Sequence, residues 1–254
     1  MAAADGQPQM AAGNAIGSVT ANTALIMSLT VIFMPFAISR QDYAENSAIF
    51  LFAVTLLLIL CMRGRLTLFG SAALIMVFAF YMYRSISAAK KLGASAPTSS
   101  SAGSGRQTIR FVTGAAAIIL GSRLLVDNGT LIACDVFGVD ERVISLTLVA
   151  VGTSLPELVT AVTWVIKRRS SLAAGNIIGA NIIDILLILP LCTLVSGGSL
   201  PIESAVAGID LPVCLLCAVI LLVPALISRR FSRWQGFAAL SVYGLYMCRL
   251  VSVG

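Results

Sequence analysis

Histidine is absent from all 254 residues. No serine–histidine–aspartate triad, histidine-ligated zinc or haem, or imidazole proton relay can be built from this chain. Charge is also scarce. Only 11% of residues are Asp, Glu, Lys or Arg, against about a quarter in soluble domains, too few to cover a surface facing water. The polar first ten residues lack the basic n-region of a signal peptide. What is there is apolar: 58% of residues are hydrophobic and the mean hydropathy is +0.97. That composition implies an all-α, multi-pass membrane protein whose first partner is the lipid bilayer. The net charge of +6 fits basic loops that orient the chain, and nucleic acid is not expected as a partner. Five of the six cysteines (Cys61, Cys134, Cys192, Cys214, Cys217, Cys248) sit in or beside apolar runs and read as small hydrophobes. Cys214 and Cys217 have redox-motif spacing but lie within a predicted span, where core packing is the simpler role.

Apolar runs predict about eight transmembrane helices, at 12–38, 47–62, 66–84, 111–127, 143–166, 173–196, 209–228 and 234–252. Ser85–Gly105 contains a Ser/Gly/Ala/Pro tract that cannot bury apolar area and reads as a flexible linker. The chain thus divides into 1–84, a linker region 85–110, and 111–254. Twelve Lys and Arg residues fall on one side of the predicted spans and five on the other. The richer side, holding 85–110, is expected to be cytoplasmic, with both termini outward, in a plasma or inner membrane.

One internal repeat is present. Gly13-Asn14-Ala15-Ile16-Gly17-Ser18 recurs as Gly175-Asn176-Ile177-Ile178-Gly179-Ala180, displaced by 162 residues, and the match continues with Asn22 against Asp184. The copies open the first and sixth helices. They therefore enter the bilayer from opposite faces, the pattern of an inverted repeat in secondary transporters. Gly13, Gly17, Gly175 and Gly179 also have GxxxG spacing and are candidate packing positions.

Of eleven acidic residues, only Glu157 and Asp184 fall well inside predicted spans. A mid-membrane carboxylate costs about 3 kcal/mol or more on insertion scales, so it marks function. Glu157 follows Gly152-Thr153-Ser154-Leu155-Pro156. Pro156 has no amide proton and clashes with the carbonyl of Gly152, so it should break the helix at mid-membrane. Thr153 and Ser154 stand one turn before Glu157 and can share its face. Asn176, Ala180 and Asp184 form a stripe at i, i+4 and i+8, with Asn181 adjacent; Asn14, Ser18 and Asn22 are its counterpart. Carboxylates, hydroxyls and amide oxygens without basic residues favour hard cations such as Ca²⁺ and Na⁺ over anions or zinc.

The stretch Arg142–Leu158 followed by Gly175–Asp184 closely resembles the second alpha-repeat of the calcium/cation antiporter superfamily, whose sodium/calcium exchangers carry Gly-Thr-Ser-x-Pro-Glu. The resemblance covers essentially the whole chain. It implies an inverted-repeat fold of ten helices, of which this chain is expected to hold eight, beginning between the family's second and third. Thr153, Ser154, Glu157, Asp184, Ser18 and Asn22 match ion-coordinating positions, and Asn181 is an adjacent candidate. Ala180 stands where a serine, and Val19 where an asparagine, is usual. The implied function is antiport of Ca²⁺ against Na⁺ or H⁺, with no cofactor and no enzymatic activity. Alternatives are a transport-incompetent or partner-requiring copy, served by a second copy or complementary half, and an intramembrane protease using two carboxylates. The protease lacks its expected Tyr-Asp and Gly-x-Gly-Asp elements.

Overall fold

A computed structural model describes residues 8–38, 40–93, 104–132 and 150–253. Apolar runs form helices because the backbone must satisfy its own hydrogen bonds away from water. Among the described residues there are eight helical rods: α1 (8–33), α2 (Arg40–Cys61), α3 (Leu68–Gly93), α4 (Ser104–Leu131), α5 (150–166), α6 (170–195), α7 (206–228) and α8 (Arg233–Val253). Five stretches are long and apolar enough to cross a membrane: Ala11–Phe33, Tyr43–Cys61, Leu68–Ala88, Ser171–Val195 and Val206–Ser228. The chain is an all-α, multi-pass membrane protein, as its composition implied.

Several rods differ in length from the hydropathy pattern. α1 stops at Phe33 rather than 38 because Pro35 disfavours helix at Met34, whose φ is −142°. α2 starts at Arg40 rather than 47, and α3 continues through Ser85 to Gly93, part of the expected linker. These turns are polar, so hydropathy does not register them. The expected start of the fifth helix at 143, and Cys134, lie outside the described residues.

The displacement of 162 residues organises the backbone as well as the sequence. A π-helical turn begins at Asn22 in α1 and another at its mate Asp184 in α6. In α6 the wider turn leads directly to Pro190, whose ring would clash with the carbonyl of Leu186 in a regular helix. α7 likewise opens with a π-turn, Val206–Asp210, just before Pro212. Short strands β1 (Arg65–Thr67) and β2 (Ser199–Pro201) pair antiparallel, with Thr67 opposite Ser199. Ala37 bridges Arg230 in the same antiparallel sense. The same displacement carries Ala37 to Ser199 and Leu68, next to Thr67, to Arg230, so the two pairings are mates to within one residue. One sits at each end of α2, as an inverted repeat requires. Both tie the first half to the second.

The core lies where α1, α2, α6, α7 and α8 meet, around Ile16, Met27, Phe50, Leu57, Ile177, Ile182, Leu186 and Phe231. Of the five apolar stretches, that in α1 is the most enclosed and that in α3 the least. Phe52, Ile59, Met76, Phe80, Leu124, Ile227 and Leu245 point outward, forming an apolar exterior suited to lipid. Lipid tails supply no hydrophobic drive between helices, so close backbone approach matters. α8 achieves it at Gly236, where a Cβ would lie 2.7 Å from the Ser28 carbonyl oxygen of α1. Cys214 and Cys217 are buried free thiols, in keeping with core packing.

Candidate functional site

Three elements enclose a cavity of about 420 Å³. α1 contributes Ala11, Asn14, Ala15, Ser18 and Asn22; α5 contributes Thr153, Ser154 and Glu157; α6 contributes Asp184, Ile188, Leu191, Cys192 and Val195. No basic residue is among these lining positions.

The α5 wall is built by the break. Helical geometry runs through Ala150–Thr153, lapses at Ser154 (φ −89°, ψ 3°), and resumes at Leu155–Ile166 with Pro156 near the start of the new segment. The Leu158 amide donates to the Ser154 carbonyl at 2.9 Å. Glu157 thus falls in the first turn of a helix, where a negative charge is favoured. Gly152 is required by its neighbour: a Cβ there would lie 2.3 Å from Val126 Cγ2 of α4.

Hydrogen bonds spend some polar groups of the cavity and spare others. Ser18 Oγ and Thr153 Oγ1 are 2.8 Å apart, and Thr153 Oγ1 donates to Asn14 Oδ1 at 3.2 Å. These contacts join α1 to α5. Asn22 Nδ2 donates to Asn181 Oδ1 at 3.0 Å. Asn22 Oδ1, Ser154 Oγ and Glu157 Oε2 are buried with no hydrogen-bond partner. An unsatisfied buried polar group costs about 1–3 kcal/mol, and two of these three, Asn22 Oδ1 and Glu157 Oε2, can only accept, so the cavity calls for an electropositive guest.

Six of the seven residues expected to bind a cation, Ser18, Asn22, Thr153, Ser154, Glu157 and Asp184, line this cavity. Asn181 does not. It is buried between the helices, accepting from Asn22 and donating from Nδ2 to Thr23 Oγ1 at 2.8 Å. Asn14, expected as a repeat and packing position, does line the cavity. Its mate Asn176 lines a separate cavity of about 650 Å³ with Tyr43, Asn46, Trp164 and Ser171, and donates to Thr160 Oγ1 at 3.3 Å. The expected stripe therefore divides. Asp184 lines the first cavity and Asn176 the second, whereas Asn14 and Asn22, at the same spacing in α1, line one cavity together. Gly13 and Gly17 are buried in α1. At Gly175 and Gly179 the nearest atoms to an added Cβ are tyrosine hydroxyls at 3.8 Å, so these glycines mark no close helix approach.

Sequence reasoning missed Asp210. It was placed near a span end, but α7 begins earlier and buries it, with Tyr246 Oη donating to its Oδ1 at 3.1 Å. The signal was Pro212, two residues on, which forces the π-turn around it. Glu45 was missed likewise; it pairs with Arg84, whose Nη2 donates to Oε2 at 2.9 Å. Among the described residues, no three acidic, cysteine or histidine side chains are grouped to hold a metal. The cavity has two carboxylates and several neutral oxygens, the donor set of a hard cation held loosely.

Comparisons with known proteins agree with this architecture. Residues 1–87 and 107–251 match the family described as sodium/calcium exchanger protein. The chain is 31% identical to the putative antiporter CaxA of Alkalimonas amylolytica, covering 99% of this chain and 81% of the relative. It is 35% identical to the sodium/calcium exchanger MaX1 of Methanosarcina acetivorans over 57% of this chain and 41% of that protein. Among solved structures, the sodium-calcium exchanger NCX_Mj soaked with Na⁺ and Sr²⁺ matches with a TM-score of 0.79 and 25% identity, covering 97% of this chain and 79% of its own. The family match spans both halves of the inverted repeat, the broken helix of the second half included, and on that ground the chain belongs to the sodium/calcium exchanger protein family, which is one of cation antiporters rather than enzymes.

Proposed function

We propose that the chain exchanges Ca²⁺ for Na⁺ or H⁺ by alternating access, with Glu157 the principal Ca²⁺ ligand. The observation that carries this reading is the trio of buried, unpartnered oxygens, Asn22 Oδ1, Ser154 Oγ and Glu157 Oε2, in a cavity that Asp184 also lines. Ca²⁺ takes six to eight oxygens; Asn14, Ser18, Thr153 and water complete such a shell. The side bearing Arg84 and Lys167–Arg169 is taken as cytoplasmic. The cavity, running toward Ala11 and Val195, is then open outward, and the Asn176 cavity is the opposite vestibule.

The test is ⁴⁵Ca²⁺ uptake into proteoliposomes driven by an outward Na⁺ or proton gradient. Glu157→Gln should weaken half-saturation at least about tenfold, equivalent to 1.4 kcal/mol of binding. Uptake equal to wild type would overturn the ligand assignment.

A second reading concerns a complementary helix. Ile26, Leu29, Thr30 and Phe33 of α1 share an apolar cavity with Leu158, Ala161, Val162, Val165 and Ile166 of α5. Their mates under the 162-residue displacement are Ile188, Leu191, Cys192 and Val195, which line the cation cavity with no such helix opposite among the described residues. We take this as the seat of a transmembrane helix of α5's chemistry, apolar with a break carrying hydroxyls and a carboxylate. Accessibility of Cys192 in that wall is its test.

A further inference from the structure

We infer that Asn181 is a positioning residue, turning the amide of Asn22 so that its oxygen faces the cation cavity. The inference rests on the cation-site reading above. An asparagine amide has two unlike ends, and only Oδ1 can bind a cation; Nδ2 would repel it. Asn22 stands in a cavity whose other open groups are Ser154 Oγ, a hydroxyl, and Glu157 Oε2, a carboxylate oxygen that can only accept. Unheld, its Nδ2 would be free to turn into the cavity and present a donor where a cation needs an oxygen. Asn181 prevents this. Its Oδ1 takes Asn22 Nδ2 at 3.0 Å, and its own Nδ2 is anchored on Thr23 Oγ1 at 2.8 Å. Asn22, Thr23 and Asn181 are each no more than 1% exposed, so no water competes for these contacts. In the arrangement the structure shows, the chain Asn22–Asn181–Thr23 holds the ligand amide with its oxygen unspent.

The inverted repeat supplies an independent argument. The mate of Asn22 is Asp184, whose two carboxylate oxygens are equivalent and need no such orientation. The mate of Asn181 is Val19, buried at 2% exposure and unable to orient anything by hydrogen bonding. The mate of Thr23, the anchor, is Ile185. Each repeat thus has either an amide with an orienting pair or a carboxylate without one. A purely structural polar contact between α1 and α6 gives no reason for that correlation.

The experiment is titration of the purified full chain in detergent with Ca²⁺ alone, read calorimetrically. Asn181→Ala should weaken Ca²⁺ binding about tenfold, and Thr23→Val about threefold, the size expected for lost hydrogen bonds. In an Asn22→Asp background, where position 22 presents oxygen at either end, both substitutions should change affinity less than about twofold. An unchanged affinity in Asn181→Ala, or the same loss in both backgrounds, would overturn the positioning role. Thr23→Val decides the matter if Asn181→Ala is not monodisperse. Equal binding by wild type and Glu157→Gln would instead remove the cation-site reading, and this inference with it.

Discussion

At the scale of single residues, the cavity separates oxygens already spent on the protein from oxygens held in reserve. Thr153 is bonded to Ser18 and Asn14, whereas Ser154 Oγ next to it has no partner although the residue is only 2% exposed. Ser154→Ala should therefore raise the melting temperature of the ion-free protein by a few degrees, because an unsatisfied buried hydroxyl costs about 1–3 kcal/mol. The same change should shrink the further rise that Ca²⁺ produces, since one ligand is gone. Thermal unfolding in detergent, with and without Ca²⁺, measures both. A fall in ion-free stability would show that Ser154 has a structural partner. Most of these residues were legible in the sequence because a hydroxyl, amide or carboxyl within an apolar run is costly. Asn181 was legible as a polar intrusion but not in its direction. Whether an amide faces the cavity or the neighbouring helix depends on α1, which lies 159 residues away in the chain.

At the scale of elements, the broken helix and its neighbour form one mechanical unit. The 2.3 Å between a Cβ at Gly152 and Val126 Cγ2 leaves no room for alanine, and a valine side chain cannot swing far aside. Gly152→Ala should displace α4 from α5 and lower Ca²⁺ uptake about tenfold, while Gly152→Ala with Val126→Ala should recover most of it. Failure of the double substitution to recover, measured in the proteoliposome uptake assay, would exclude this contact as the cause. Helix positions were legible because the hydrocarbon core sets a length of about twenty apolar residues. Helix ends were not, since α2 and α3 extend through polar turns that hydropathy averages away. Nor were β1 and β2, three residues each, whose pairing joins segments 134 residues apart. The hairpin clasps escaped for another reason. Glu45–Arg84 ties α2 to α3, and Asp210–Tyr246 ties α7 to α8; Arg84 and Tyr246 are mates under the repeat, but an ion pair in one half answers a hydroxyl–carboxylate bond in the other.

At the scale of the whole molecule, the two halves are related by displacement yet differ in what covers them. Ile26, Leu29, Thr30 and Phe33 face α5, and their mates face an open cavity that includes Cys192. In a variant keeping Cys192 as its only cysteine, a membrane-permeant maleimide should label the purified chain readily. In native membranes labelling should slow about tenfold if a complementary helix is seated. Equal rates would remove that partner. The strand pairing at one end of α2 and the Ala37–Arg230 bridge at the other have a further consequence. Each joins the first half to the second by main-chain hydrogen bonds, at opposite faces of the membrane. Association of the halves thus has main-chain support besides the peptide between α3 and α4. Lengthening that peptide adds a closure penalty that grows only with the logarithm of its length. It is the point in this architecture where foreign sequence, even a folded module, can be spliced in without loosening the grip of one half upon the other.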